Sequence, residues 1–188
     1  MLRIMSTLKR NQFVVRQAQS DADFAACSQL DHTCSTSHVW QVDLREESDE
    51  TSVRFRVAHL PREVRVTYPR DRQTLLHSWQ TRDCFLVATA DDVILGYVNM
   101  RVDGPSARGW IHDLVVEQRV RRRKIGSALL EQALRWSRMH NIEYVTLDLQ
   151  TKNYPALCFV RAHGFAFCGF NDHYYANRDI ALFFGRAI

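Results

Sequence analysis

Apolar and polar positions alternate along much of the chain, and longer stretches with apolar residues every three to four positions break that alternation. "FVVRQA" (13–18) alternates as a strand, and Ser20 or Asp21 then caps a helix running to about Leu30. A polar stretch follows. Within it "DLREESDE" (43–50) carries five carboxylates and one Arg, the composition of a solvated loop or of a face for a cationic substrate. "VRFRVAHL" (53–60) alternates again, and "YPRDRQTLLHSWQTR" (68–82) reads as a helix begun near Pro69. "CFLVATA" (84–90), the turn Asp91-Asp92 and "VILGYVNMRV" (93–102) predict a hairpin, and "GWIHDLVV" (109–116) the next strand, so three antiparallel strands follow in order.

Beyond a basic run, Ile125, Ala128, Leu129, Gln132, Ala133 and Trp136 recur at helical spacing, with Leu130 and Leu134 widening the apolar face. This predicts a helix of about four turns begun near Arg123. "EYVTLDLQ" (143–150) is a strand and "NYPALCFVRAHG" (153–164) a helix closed by Gly164. "FAFCGFNDHYY" and "RDIALFFGRAI" predict a final strand pair. No repeat, low-complexity tract or linker divides the chain, so its 188 residues are expected to form one domain, with 46% hydrophobic content enough for a core.

Charge narrows the function classes. Net charge is +4, from 25 cations against 21 anions, and much of the excess sits in the opening segment, which argues against whole-surface nucleic-acid binding. The five cysteines (Cys27, Cys34, Cys84, Cys158, Cys168) form no C-x-x-C pair, which suggests neither a disulfide framework nor a zinc site. The apolar runs are strand-sized and "MLRIMSTLKRNQF" lacks a secretory core, so a soluble, cytoplasmic protein without membrane association is expected.

The run Arg119 to Lys124 holds four Arg and one Lys between a predicted strand and a predicted helix. A helix start presents unpaired amides and the positive end of the macrodipole, so cations there oppose the dipole by roughly 0.3–1 kcal/mol each unless an anion is bound. Gly126 and Ser127 let the backbone approach a ligand, while Arg121, Arg122, Arg123 and Lys124 offer charge-assisted bonds. A small phosphorylated ligand satisfies position and charge together. A solvated helix start and a nucleic-acid patch are the alternatives, although no helix-turn-helix, zinc or aromatic-basic platform accompanies the run.

"VEQRVRRRKIGSALL" (116–130) resembles the acetyl-CoA loop of the GCN5-related N-acetyltransferase (GNAT) superfamily, whose pattern is Q/R-x-x-G-x-G/A. Arg121 takes the first position and Gly126 the last, with Lys124 where the first Gly is usual. Asn153 and Ala156 through "HGF" (163–165) resemble the family's N-x-x-A…G-F segment, and "LDLQTKNYPALCF" with the tail "FCGFNDHYYANRDIALFF" is most similar to streptothricin acetyltransferase-like members. The resemblance covers 84–186 firmly and 13–83 loosely. It implies a mixed α/β (α+β) fold, a central, mostly antiparallel twisted sheet flanked by helices, with acetyl-CoA as acyl donor and a small amine as acceptor; a homodimer is left open. It further implies that Leu114, Val115 and Val116 present backbone groups to pantetheine, that Arg121 to Ser127, Ile125 included, hold the pyrophosphate, and that Asn153 contacts the cofactor. The acidic 43–50 stretch and Asp148 would suit a cationic acceptor.

Amine acetylation needs a neutral amine, hence a base. His112, on the strand before the loop, has the right intrinsic pKa class, and Asp113 is the second candidate, as base or as amine anchor. The family's usual acid, a Tyr four residues before the Gly of "GF", is Val160 here, with Tyr154, Tyr174 and Tyr175 as replacements by type. No acid is required if positioning suffices, because a thiolate leaves readily. Cys158, within the second predicted helix of this half, is expected to be packed rather than nucleophilic. Turnover competes with a rival function, a CoA-binding module.

Overall fold

The computed structural model describes residues 13–104 and 107–188; most of the opening segment, expected from its sequence to lack a secretory core, lies outside them. The first half contains β1 (Val14–Gln17), α1 (Asp21–Cys27), β2 (Cys34–Glu46), β3 (Thr51–Val66), α2 (Arg72–Gln80), β4 (Cys84–Ala90) and β5 (Val93–Asp103). The second contains β6 (Arg108–Val116), a 3₁₀ turn (Gln118–Val120), α3 (Ile125–Met139), β7 (Tyr144–Gln150), α4 (Tyr154–Ala162), β8 (Ala166–Asn171) and β9 (Ala181–Ala187). Seven strands form one sheet in the order β1-β4-β5-β6-β7-β9-β8. Only β6 and β7 run parallel, and the other neighbours are antiparallel. The mixed fold with a mostly antiparallel sheet is therefore as expected.

Local chemistry explains the elements. Asp91 and Asp92 both adopt positive φ, 47° and 61°, the backbone of a tight hairpin turn that Asp tolerates, so β4 returns directly as β5. The helix expected from Pro69 begins at Arg72, because Asp71 is the residue that caps it by accepting from the Thr74 amide at 2.8 Å. Tyr68, Pro69 and Arg70 stay outside the helix as a consequence. The helix expected from Arg123 begins at Ile125, since Arg122 and Lys124 both sit at φ +65°, where no right-handed helix can continue.

Residues 34–46, expected to be a polar stretch ending in a solvated loop, instead form β2, which pairs with β3 in a separate two-stranded ribbon. Trp40, Val42 and Leu44 face Val57, Phe55 and Val53 across it. Only part of that apolar face is covered, by Phe167 and Phe170 against Phe55, so the alternation is diluted by exposed polar positions. The Trp40 amide donates to the Thr151 carbonyl at 2.9 Å and ties the ribbon to the end of β7.

The core has two layers. On one sheet face, α3 and α4 bury Ile125, Leu129, Leu130, Ala133, Leu157 and Val160 against β4–β7 and β9. On the other, α1 and α2 bury Cys27, Leu75 and Trp79 against Phe85, Val87, Tyr97 and Val115. Among the described residues no helix is long and apolar enough to cross a membrane.

Candidate active site

The parallel pair β6–β7 is short: Arg108–Ile111 pair with Tyr144–Leu147, after which the strands part while β6 runs to Val116 and β7 to Gln150. The parting coincides with a bulge, because Asn99 pairs Asp113 and Met100 pairs Ile111, leaving His112 as the extra residue. A strand edge without its ladder must satisfy its polar groups elsewhere. The His112 carbonyl accepts from Arg70 Nη1 at 2.9 Å, and the Val116 carbonyl from Arg121 Nε at 2.9 Å. Alternation turns Leu114 to the same edge between them. A cavity of about 530 Å³ opens at this fork and extends to the start of α3 and along α4.

The basic loop divides its labour. Val120 is fully buried and anchors the 3₁₀ turn. Arg121 points inward, bridging the Val116 carbonyl and, at 3.0 Å, the Asp31 carbonyl, so it clamps the loop to the segment after α1. Arg122 and Lys124 are exposed and line the cavity, as do Ile125, Gly126 and Ser127. Arg123 is half-buried and Ile125 belongs to the core. The left-handed turns at Arg122 and Lys124 curl the chain around the first amides of α3, which have no intrahelical acceptors. Ser127 Oγ lies 3.0 Å from His163 Nε2; the other ring nitrogen, Nδ1, lies 2.8 Å from the Phe159 carbonyl and so carries the proton, which makes Ser127 the donor. Asn153 caps α4, accepting from the Ala156 amide at 3.3 Å and from Cys34 Sγ at 3.3 Å, and lines the cavity.

At the other end of the cavity stands a buried ionic cluster. Arg70 Nη2 reaches both oxygens of Asp148, at 2.9 and 2.6 Å, while Nη1 lies 3.9 Å from Asp113 Oδ1. Asp148 also accepts from Trp110 Nε1 at 2.9 Å and from the Tyr175 hydroxyl at 2.6 Å. Asp113 accepts from the Tyr68 hydroxyl at 2.5 Å and from Asn99 Nδ2 at 2.9 Å. Burial opposes the charge of Arg70, but Tyr68, Asp148 and Asp113 outweigh it and hold its pKa above the usual value. Burial, then the neighbouring carboxylates, push the Tyr68 and Tyr175 hydroxyls up, so both stay protonated donors. Burial, then the charge of Arg70, lowers the His112 pKa, which favours a neutral imidazole.

The sequence candidates thus separate. His112 lines the cavity, whereas Asp113 is buried behind it with both oxygens occupied. Asp148 likewise has its oxygens filled from within the protein, and none of residues 43–50 contributes to the cavity wall. Val160 is packed in the core. Of the tyrosines, Tyr175 lines the cavity; Tyr154 stacks on His38, and Tyr174 packs on Phe183. Cys158, expected to be packed, is exposed and lines the cavity, because Leu157 and Val160 take the buried face of α4. Sequence reasoning missed Tyr68, Arg70, Trp110 and His32; the only signal was Pro69, which was read as a helix start. Among the described residues no cluster of three or more His, Cys, Asp or Glu is placed to hold a metal ion.

Residues 48–165 match the model of the Acetyltransferase (GNAT) family. An N-alpha-acetyltransferase of Sulfurisphaera tokodaii is 27% identical over 116 residues, covering 56% of this chain and 70% of that protein. The crystal structure of nourseothricin acetyltransferase superposes with a TM-score of 0.79 at 22% identity, over 94% of this chain and 99% of that one. The NatC complex bound to Gag peptide and CoA gives 0.65 at 17% identity, over 94% and 99%. At these identities the two solved structures speak for the fold.

Proposed function

We propose, for a chain that belongs to the acetyltransferase (GNAT) family, that it moves acetyl from acetyl-CoA to a primary amine of a small cationic molecule by direct attack in a ternary complex. The donor end is supported by the curled basic loop on the α3 N-terminus, where unpaired amides, exposed cations and an open glycine meet. Arg122, Lys124 and the amides of Ile125, Gly126 and Ser127 would hold the diphosphate, with Arg121 clamping the loop and Asn153 lining the path to the fork. When bound, acetyl-CoA supplies a thioester whose carbonyl carbon is electrophilic. The Leu114 amide, on the unladdered edge of β6 between His112 and Val116, is the candidate donor to the developing oxyanion.

The observation that carries the acceptor class is the charge count beside His112: one buried guanidinium, Arg70, against two buried carboxylates, Asp113 and Asp148. The exposed Arg101 on β5 also acts on the ring but is screened by solvent, so the buried part of the wall keeps a net negative charge that attracts a cation, and the neutral imidazole of His112 can then take its proton. Tyr68 and Tyr175 keep the carboxylates hydrogen-bonded, and of the two imidazoles that line the cavity His32 has its ring nitrogens against the Leu30 carbonyl and the Tyr97 hydroxyl, which leaves His112 as the candidate base. Asp113 serves as an anchor of that wall rather than as the base.

Purified protein should bind acetyl-CoA by calorimetry and release thiol with nourseothricin or spermidine, with faster turnover than on a peptide N-terminus. Turnover confined to peptides would replace the small amine by a protein N-terminus, as in the N-alpha-acetyltransferase relatives. Acetyl-CoA binding without thiol release from any amine would make the chain a CoA-binding module, the outcome that Val160 at the usual acid position would favour.

A further inference from the structure

Arg70 comes from the loop between β3 and α2, outside every segment that carries the donor site. Its side chain enters the fork at the first positions where β6 and β7 no longer pair, His112 and Asp148. One nitrogen takes the His112 carbonyl at 2.9 Å, and the other takes both oxygens of Asp148, at 2.9 and 2.6 Å. The guanidinium does there what the next ladder bonds would do in an unbroken sheet, at a wider separation. It also lies 5.7 Å from the centre of the Tyr175 ring and 3.9 Å from Asp113, so the loop, β6, β7 and the segment before β9 meet on one group. The side chain is only 11% exposed. Its planar five-donor fork matches this set of acceptors, and an ammonium could not reach both strands at once.

We infer that Arg70 is a positioning residue for the reaction: it pins the bulged backbone of His112 to β7, fixes the opening of the fork, and sets the ionic balance around the imidazole. This rests on His112 being the base. Four charged groups act on that ring, Arg70 from the loop, Asp113 beside it on β6, Asp148 from β7 and Arg101 from β5, with the neutral Tyr175 nearby. Arg70 and Arg101 favour the neutral ring, whereas Asp113 and Asp148 favour the protonated one.

The test uses the full chain and two readouts. The titration of the His112 Cε1–H resonance, assigned with His112→Gln, needs no acceptor; the pH dependence of kcat/KM is read with nourseothricin, or spermidine if that is the better acceptor. Arg70→Met should raise the His112 titration and move the acidic limb of the profile upward in pH, whereas Asp148→Asn should move both downward. Arg70→Lys keeps the charge but loses one strand contact: kcat should fall on the order of tenfold or more from misplacement, with KM for acetyl-CoA unchanged and His112 titrating within a few tenths of wild type. If Arg70→Met does not fold, Asp148→Asn and Arg70→Lys carry the test. Equal shifts in the same direction for Arg70→Met and Asp148→Asn, or a fully active Arg70→Lys, overturn the inference. An acidic limb that survives in His112→Gln instead removes His112 as base, while the opposite titration shifts in the Arg70 and Asp148 variants would still stand.

Discussion

Replacing Gly126 by Ala should make the free protein more stable and its grip on acetyl-CoA weaker, two effects of opposite sign from one methyl group. In the structure an added Cβ would stand 3.5 Å from Val116 Cγ2 and 3.6 Å from two carbons of the Phe159 ring, which is ordinary contact. Gly126 has no left-handed φ and sits in the first turn of α3, so nothing in the fold itself calls for glycine. Alanine in a helix is favoured by roughly 0.5–1 kcal/mol, which for a chain of this size raises Tm by about 1–4 °C. The methyl would occupy the space through which the α3 amides reach a diphosphate. Losing one hydrogen bond to a charged group costs about 1.5–3 kcal/mol, or roughly tenfold to hundredfold in Kd. Calorimetric titration with acetyl-CoA and ligand-free thermal melts measure both. An unchanged Kd would remove the α3 N-terminus from the donor site, and a lowered Tm would show that the packing around Gly126 is tighter than the 3.5 Å contact implies.

Lys124→Gly relieves a left-handed non-glycine residue, at φ 65°, and should add roughly 0.5–1 kcal/mol to stability in urea unfolding; a loss would mean that the Lys124 side chain holds the turn. His112→Ala should lower kcat/KM at neutral pH by about a hundredfold or more. In wild type the rate should drop as pH falls through a His112 pKa held below 6.5 by burial and Arg70, and a pH profile without that limb would exclude the imidazole. Asp23, bonded by Arg16 at 2.7 and 2.8 Å, has its pKa lowered to about 2. Its folded-state pKa is below the unfolded value of 3.8, so its contribution is present above about pH 4 and disappears as pH falls toward 2. After discounting for the partly exposed Arg16, Asp23→Asn should cost about 1 kcal/mol at pH 7 and progressively less below pH 4, with a constant gap between the two unfolding curves as the contrary result.

The proposed donor side is legible in the sequence because its chemistry is contiguous. A strand, the five cations of 119–124, Gly126 and an amphipathic helix, in succession over residues 109–139, already specify unpaired amides under positive charge. Even there the roles shifted with geometry, since Arg121, although it borders the cavity, spends its charge on two backbone carbonyls, and Arg122 and Lys124 are the exposed cations that line it. The usual glycine at position 124 finds its reason in the structure: the backbone there is left-handed, and lysine accepts that strain. The ribbon β2–β3 was half missed, because a two-stranded element with one partly covered face shows the strand period only weakly.

Local periodicity and composition determined most of the strands and helices, β2 excepted, and the charge at the head of α3, because those depend on neighbours within a turn or two of chain. The proposed acceptor wall was decided by tertiary structure alone. Arg70, Asp113 and Asp148 are separated by 35 residues or more, Asp113 and Asp148 being 45 and 78 positions beyond Tyr68 and Arg70 respectively. No window of sequence contains them together. Their meeting follows from the early end of the β6–β7 ladder, which leaves a carbonyl and a carboxylate unsatisfied in the interior, and a buried polar group must find its partner wherever in the chain the fold brings one.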